Sequence, residues 1–358
     1  SLMIIKNNSQ IQSYLEDTSN IKGSAEYLYI PQSCQELKSC INDLIKIKTA
    51  FTISAGRTGT TGGCVPQSGV IVSLENLNKI ISIDSQAKTV VLEAGVSLES
   101  LELAANKQGL SFRACPTESL ALIGGAISTA ASGVRGFGYG SIRKYVRKIE
   151  VLLLRGQTLT IERGMIKACG RHFEFKNNGQ SFVFDLPTYQ MPKVKSQAGY
   201  FIEDNMDLID LFIGSEGTLG VISSAELDVQ SIPFSAFDGL IFFNSEDEAF
   251  SFVDTIKDNK QKGFISPVSL EFLDTNSLKF LSSKYSFAQG TKALVYFQEE
   301  VQNEARLESS LDKYKELIEN SGALIDKSIL ADTDHERKKV FEFRHALPLA
   351  INEYLREH

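Results

Sequence analysis

Ser54-Ala55-Gly56-Arg57-Thr58-Gly59-Thr60-Thr61-Gly62-Gly63 follows a predicted strand and precedes Pro66 and a second β-branched run. Glycine reaches φ > 0 freely and has no side chain to block a close approach, so such a loop can turn several backbone N–H groups toward one point. That geometry suits a pyrophosphate, although the same glycines taken alone also suit a flexible surface loop. A Rossmann turn is the obvious comparison. It needs a helix directly after the glycines and an acidic residue about 20 positions further on. Here Pro66, Gly69 and a strand follow instead, which rules that fingerprint out.

Two more small-residue segments lie downstream. Ile123-Gly124-Gly125-Ala126-Ile127-Ser128-Thr129-Ala130-Ala131-Ser132-Gly133 predicts a short helix whose first turn offers free N–H groups, or equally a tight helix-packing interface. Gly214-Ser215-Glu216-Gly217-Thr218-Leu219-Gly220-Val221-Ile222 falls between a predicted helix and a predicted strand. Its glycines could let the backbone line a ligand or simply turn the chain.

Working outward, apolar residues at helical spacing predict a helix from Gln35 to Lys48, followed by a strand at Phe51 to Ile53. Strands are predicted at Gly69 to Leu74, Ile80 to Asp84 and Thr89 to Glu93, with a helix from Ser97 that stops at Gly109. Ile149 to Leu154 and Thr158 to Ile161 flank Arg155-Gly156-Gln157 as a hairpin, and Val221 to Val229 reads as a strand. Ser231-Ile232-Pro233 marks a domain boundary. Beyond it the order is strand (Gly239 to Phe243), helix (Glu246 to Asn259), strand (Val268 to Leu273), strand (Ala293 to Phe297), helix (Asn303 to Asn320), strand (Ala323 to Lys327). This is the split β-α-β-β-α-β arrangement. A last amphipathic helix is expected from near Asp332 through Arg344, ended or kinked by Pro348.

Composition narrows the function classes. The 358 residues suggest two domains, and 42% apolar with 23% charged residues is globular. A net charge of −7 with scattered basic residues argues against nucleic acid. No apolar run is long enough to span a membrane and no leader is visible, so a cytoplasmic location is expected. Ser1 and Leu2 before Met3 read as a cloning remnant. Cys34, Cys40, Cys64, Cys115 and Cys169 form no Cys-x-x-Cys pair and are odd in number, which predicts free thiols.

The three segments, in this order and at these separations, resemble the PCMH-type FAD-binding domain of the vanillyl-alcohol oxidase superfamily. Within it they look most like D-lactate and D-2-hydroxyglutarate dehydrogenases and the glycolate oxidase flavin subunit. The resemblance is carried by Gly56 to Pro66, Ile123-Gly124-Gly125, Tyr139-Gly140 and Gly214 to Ile222. It implies an α+β fold: a two-part FAD-binding domain at residues 20–232, then a ferredoxin-like antiparallel cap at 233–358, incomplete at its C-terminus. It implies FAD as cofactor. Ser54, Ala55, Gly56, Arg57, Thr58, Gly59, Thr60 and Thr61 would wrap the pyrophosphate. Pro116, Thr117, Gly124, Gly125, Ile127 and Gly133 would contact isoalloxazine, ribityl chain and phosphates, and Glu216, Gly217 and Ile222 would line the remaining wall.

This sequence departs from the pattern at Ala126 and Ala130, where relatives commonly carry asparagine, and at Arg57, which replaces a small residue. The departures imply lost or rearranged cofactor hydrogen bonds. Members with covalently held flavin use histidine or cysteine. The first loop has no histidine and Cys64 aligns with a small apolar residue, so the flavin is expected to be non-covalent. Lys195 to Tyr200 resembles the family's lysine-to-glycine-tyrosine segment, and reads equally as an exposed lysine beside a packed tyrosine.

The catalytic side is thinner. Oxidising a 2-hydroxy acid needs a cation for the carboxylate, a base for the hydroxyl proton and a hydride acceptor. The resemblance places a carboxylate-binding arginine at Arg344, which otherwise reads as a solvated helix arginine beside His345. The 2-hydroxy-acid relatives carry a histidine-rich metal and base motif, which is not visible here. His172, His335, His345 and His358 read as surface residues, and no metal is expected. By the family's architecture relatives continue for about another hundred residues, implying a truncated chain or a short branch with a partner subunit.

The activity implied is an FAD-dependent oxidoreductase taking a hydride from a small 2-hydroxy acid such as D-lactate or glycolate, with a quinone or protein as electron acceptor. The alternatives are an FAD-binding electron-transfer subunit without its own substrate site, and a sugar or alcohol oxidase. Association with the inner face of a membrane is compatible with a quinone acceptor.

Overall fold

Ser33 shows how the local code is used. Its side chain accepts the Glu36 N–H at 3.2 Å while Glu36 reaches back to the Gln32 N–H at 2.9 Å, a near-reciprocal cap that starts the first helix. That helix then lays Leu37, Cys40, Ile41 and Leu44 on one face, at the spacing that brings side chains together on a 3.6-residue turn.

The structure is a computed structural model that describes residues 3–6, 9–114, 116–287 and 290–357. Cys115 and His358 lie outside the described residues. The chain divides into two compact units, Ser1–Gly133 with Ser141–Ile232, and Val134–Gly140 with Pro233–His358.

In chain order the first unit holds β1 (Met3–Lys6), β2 (Tyr27–Ile30), α1 (Cys34–Lys46), β3 (Phe51–Ser54), β4 (Val70–Ser73), β5 (Ile80–Asp84), β6 (Thr89–Glu93), α2 (Leu98–Asn106), β7 (Leu110–Ser111) and α3 (Ile123–Ser128). The short α4 (Gly136–Tyr139) belongs to the second unit. The first unit resumes with β8 (Val146–Leu153), β9 (Thr158–Glu162), β10 (His172–Asn177), β11 (Gln180–Asp185), α5 (Leu208–Phe212), β12 (Gly220–Asp228) and β13 (Gln230–Ser231).

One sheet has the order β1-β2-β4-β3, with β4 parallel to both β2 and β3. β4 is buried along its whole length because it is covered on both sides. Val70 and Val72 meet α1, and Ile71 meets Leu28 and Ile11. The other main sheet is antiparallel, in the order β5-β6-β12-β8-β9. β10 and β11 form a separate two-stranded antiparallel sheet. Their turn, Asn178-Gly179, has φ of 48° and 80°, which suits a tight hairpin.

The second unit continues with β14 (Ser235–Phe243), α6 (Glu246–Gln261), β15 (Pro267–Leu273), α7 (Thr275–Leu281), β16 (Ala293–Val301), α8 (Glu304–Glu319), β17 (Ile329–Ala331) and α9 (Asp334–Glu357). Its sheet is antiparallel, in the order β15-β16-β14-β17. Period-2 alternation splits the two central strands. Phe237, Ile241, Phe243, Val295, Phe297 and Val301 pack with α6 and α8, whereas Leu240, Phe242, Leu294 and Tyr296 pack with α7 and α9. Gly239 sits where a Cβ would come within 2.3 Å of the Phe297 ring, so no larger residue fits there.

Two expectations need correction. The last strand is not at Ala323 to Lys327: Leu324 O accepts the N–H groups of Lys327 and Ser328, turning Ile325–Lys327 into a 3-10 helix and delaying the strand to Ile329–Ala331. The last helix does not stop at Pro348 but runs on to Glu357. Pro348 is exposed, so the backbone acceptor that loses its N–H there can turn to water. No helix among the described residues is long and apolar enough to cross a membrane.

Candidate cofactor and substrate-binding sites

β3 ends at Ser54, whose carbonyl accepts the Leu74 N–H at 3.0 Å and whose side-chain oxygen is buried without a partner. From there the chain leaves the sheet. Among the described residues, the backbone N–H groups of residues 55–61 have no intramolecular acceptor, and Gly62 N–H is the first to find one, at Asp17 Oδ2, 3.1 Å away. Successive free N–H groups, on a loop with positive φ at Arg57 and Gly62, are the donors from which an anion nest is built.

Arg57 anchors that loop to residues outside it. It sits at φ 56°, a left-handed conformation that costs a non-glycine residue about 1 kcal/mol. Its guanidinium lies 4.2 Å from the centre of the Tyr14 ring and 3.8 Å from Glu75 Oε2. Tyr14 in turn donates to Glu75 at 2.9 Å. Burial, then the bond to Glu75, pushes the Tyr14 phenol up to about 12, so it stays a donor throughout the physiological range. Arg57 is thus docked on Tyr14 and Glu75.

The second segment meets the first at Gly56 and Gly125. A Cβ on Gly56 would lie 2.8 Å from Leu120 O, and one on Gly125 would lie 3.0 Å from the Ala55 methyl. Gly124 donates to Ala94 O at 2.8 Å and has no room for a side chain beside it. The third segment closes on the end of α3: Gly214 N–H donates to Ile127 O at 3.0 Å, and Glu216 N–H to Ser128 O at 2.9 Å. Ala130, at φ 46°, and Glu216, at φ 52°, share the left-handed strain of Arg57, and a Cβ on Gly63 would lie 3.7 Å from Glu216 Oε1. Ser54, Ala55, Gly56, Gly124, Gly125, Ile127 and Glu216 are therefore brought together, with Arg57, Thr58, Gly59, Thr60 and Thr61 on the nest and Gly217 in the turn after Glu216.

These approaches do not include Pro116, Thr117, Gly133 or Ile222. Pro116 is half-buried and Thr117 exposed in the coil before α3, Gly133 is half-buried after it, and Ile222 is buried on β12 opposite Val151. Ala126 and Ala130 are core residues. Tyr200 reaches the third segment through its hydroxyl, 2.7 Å from Thr218 Oγ1. A diphosphate fits the nest on its donor chemistry: adjacent unpaired N–H groups, an unpartnered buried hydroxyl at Ser54, and glycines where a Cβ would fill the space.

Arg344 lies in the second unit and is already engaged. Its Nε donates to Glu271 Oε2 at 2.9 Å and its Nη2 to Glu271 Oε1 at 2.7 Å. Burial works against its charge, but the Glu271 hydrogen bonds and charge outweigh it and hold the guanidinium above its usual range. On the same sheet face Arg337 Nε pairs with Asp238 Oδ2 at 2.9 Å, and Arg135 Nε with Glu300 Oε1 at 3.2 Å. Tyr296 and Gln298 also donate to Asp238, at 2.8 and 2.9 Å. Burial, then the Asp238 charge, raises the Tyr296 phenol.

Of the histidines, His172 lies 2.7 Å from Asp185, His335 is exposed, and His345 is half-buried against Phe341 with Nδ1 unpartnered. Cys34, Cys40, Cys64 and Cys169 are unpaired. Among the described residues no group of three or more His, Cys, Asp or Glu could hold a metal ion. Sequence reasoning missed Glu271 as the partner of Arg344, and nothing local marks it. It also missed the β10–β11 hairpin, although Asn178-Gly179 between alternating runs was a legible signal.

Residues 25–162 match the family model described as FAD binding domain. The chain is 28% identical to a D-lactate dehydrogenase of Anaerostipes hadrus over 95% of this chain and 66% of that protein. It is 24% identical to glycolate oxidase subunit GlcD of Bacillus subtilis (strain 168), over 95% and 64%. A D-2-hydroxyglutarate dehydrogenase of Xanthomonas citri pv. viticola is 30% identical over 57% of this chain and 36% of that protein. The chain thus spans about two thirds or less of the length of these relatives. Its mixed α/β fold is similar to that of alkyldihydroxyacetonephosphate synthase, with a TM-score of 0.71 at 16% identity, covering 98% of this chain and 61% of that one. The segment that matches the FAD binding domain, residues 25–162, contains both the loop at 55–61 and α3.

Proposed function

We propose that the protein is an FAD-dependent oxidoreductase acting on a small 2-hydroxy acid such as D-lactate or glycolate. The observation that carries this is the nest at residues 55–61, whose unpaired N–H groups stand beside α3 within the segment that matches the FAD binding domain. The first unit acts as the two-part PCMH-type domain, 20–232. The second acts as a ferredoxin-like cap, 233–358, an assignment that its strand order β15-β16-β14-β17 supports. Bound FAD would supply the hydride acceptor. The nest residues and Ser54 would hold its diphosphate, and Gly124, Gly125 and Ile127, with Glu216 and Gly217, would complete the walls. Pro116, Thr117, Gly133 and Ile222 would make contacts further along the cofactor.

The state of Cys64 supports non-covalent attachment. Burial, then the Asp17 charge, pushes its thiol up to about 11, which leaves it un-ionised and a poor nucleophile. Arg344 would hold the substrate carboxylate, since a guanidinium fork matches two carboxylate oxygens. The electrons would leave to a quinone or a protein acceptor.

The test is the visible spectrum of the purified protein, followed by anaerobic addition of D-lactate, glycolate and D-2-hydroxyglutarate. Flavin bands released by mild acid, and bleached by a hydroxy acid, are expected. Arg344→Ala should lower kcat/KM by about tenfold or more with FAD still bound. A colourless protein that takes up no FAD would overturn the reading. One observation favours a second reading, an FAD-binding electron-transfer subunit without its own substrate site: the Arg344 fork is already filled. A yellow protein that no hydroxy acid bleaches would favour it.

A further inference from the structure

Arg344 and Glu271 meet as a fork on a carboxylate, two parallel charge-assisted hydrogen bonds of 2.9 and 2.7 Å. Their side chains are 16% and 29% exposed, so water reaches the pair only in part. The register sets the pairing. Glu271 on β15 stands opposite Tyr296 on β16, on the sheet face that α9 covers, and α9 brings Arg344 over it. The Tyr296 hydroxyl donates to Asp238, so among the described residues both hydrogen bonds that reach Glu271 come from Arg344.

We propose that Glu271 is an internal competitor for the substrate's carboxylate and thereby a specificity-determining residue. This rests on the assignment of Arg344 as carboxylate receptor. A 2-hydroxy acid presents the same planar pair of oxygens as Glu271, so it binds by exchange. Two hydrogen bonds to Glu271 break, two to the substrate form, and the Glu271 side chain swings toward solvent with its charge kept. No covalent bond changes.

Two consequences follow. The apparent affinity for substrate is the intrinsic affinity reduced by the fraction of molecules in which Arg344 is free. A neutral alcohol or polyol has no carboxylate with which to displace Glu271, so the closed pair rejects it. Discrimination of this kind comes from an interaction that the wrong ligand cannot replace.

The test uses the flavin-loaded protein and its Glu271→Gln variant, with D-lactate and an artificial dye acceptor. Glutamine keeps the shape but removes the charge that holds the fork. KM is expected to fall about fivefold or more, with kcat changed by less than about twofold. A rise in KM would mean that Glu271 orients Arg344 for the substrate, and an unchanged KM that the pair does not open on binding. Either result overturns the proposal. Glu271→Asp keeps the charge on a shorter arm and guards against misfolding of the first variant. Its KM should fall between the two, and a value equal to or above wild type counts against exchange. Flavin content and melting temperature verify that each variant is folded. If wild type is bleached and Arg344→Ala raises KM, but Glu271→Gln does not lower it, the competitor fails and the proposed function stands. If no hydroxy acid bleaches wild type, both fall.

Discussion

Single residues carry the strain and the buried charge in this molecule, and each has a local reason. Arg57, Ala130 and Glu216 adopt left-handed backbone conformations on the three segments that converge, where neighbouring bonds hold them. Glu299 is a different case. It is fully buried in the second unit and accepts hydrogen bonds from Ser266 N–H, Ser310 and Tyr314. Burial raises its pKa above 4.5, with those bonds and Arg306 opposing. The native state therefore keeps a proton that the unfolded chain has already released just above that value. Stability linked to Glu299 is full below about pH 4.5 and is lost as pH rises through the folded pKa. Glu299→Gln should flatten this dependence: relative to wild type, the variant gains stability between pH 4 and pH 8, measured as the difference in urea midpoints. A constant difference would mean that Glu299 does not titrate with unfolding.

At the scale of elements, position in the chain was more legible than partnership. β5 and β6 lie at the residues the pattern predicts, and the hairpin of β8 and β9 forms around Gly156, because alternation and turn residues act within a few positions. The 3-10 turn at Ile325–Lys327 escaped because a short apolar run fits several local conformations, and the capture of Leu324 O settled the matter. The nest makes its own prediction. Amides at residues 55–61 have no intramolecular acceptor among the described residues, so they should exchange with solvent rapidly in the FAD-free protein and slow about tenfold or more when FAD binds. Hydrogen-exchange mass spectrometry on peptides spanning this loop reads the change, and unaltered exchange would place the cofactor's phosphates elsewhere.

On the scale of the whole molecule, two compact units each carry their own buried apolar cluster. FAD that binds only the folded first unit must stabilise it, by about 2.7 kcal/mol at a hundred times its Kd. A urea titration followed by exchange in the β6–β12–β8 core, with and without FAD, should show that shift. No shift at saturation would mean that the cofactor is not held by this unit. The family resemblance, the order of most elements and the three glycine-rich segments were all present in the sequence by itself. Glycine placement, capping and hydrophobic period are properties of neighbouring residues, and they bias the backbone wherever they occur. Only the tertiary structure decided that residues 54–63, 123–130 and 214–217 meet, and that Arg344 finds Glu271 seventy-three positions away. Such meetings depend on strand register and helix docking summed over the whole chain, and no local pattern encodes them.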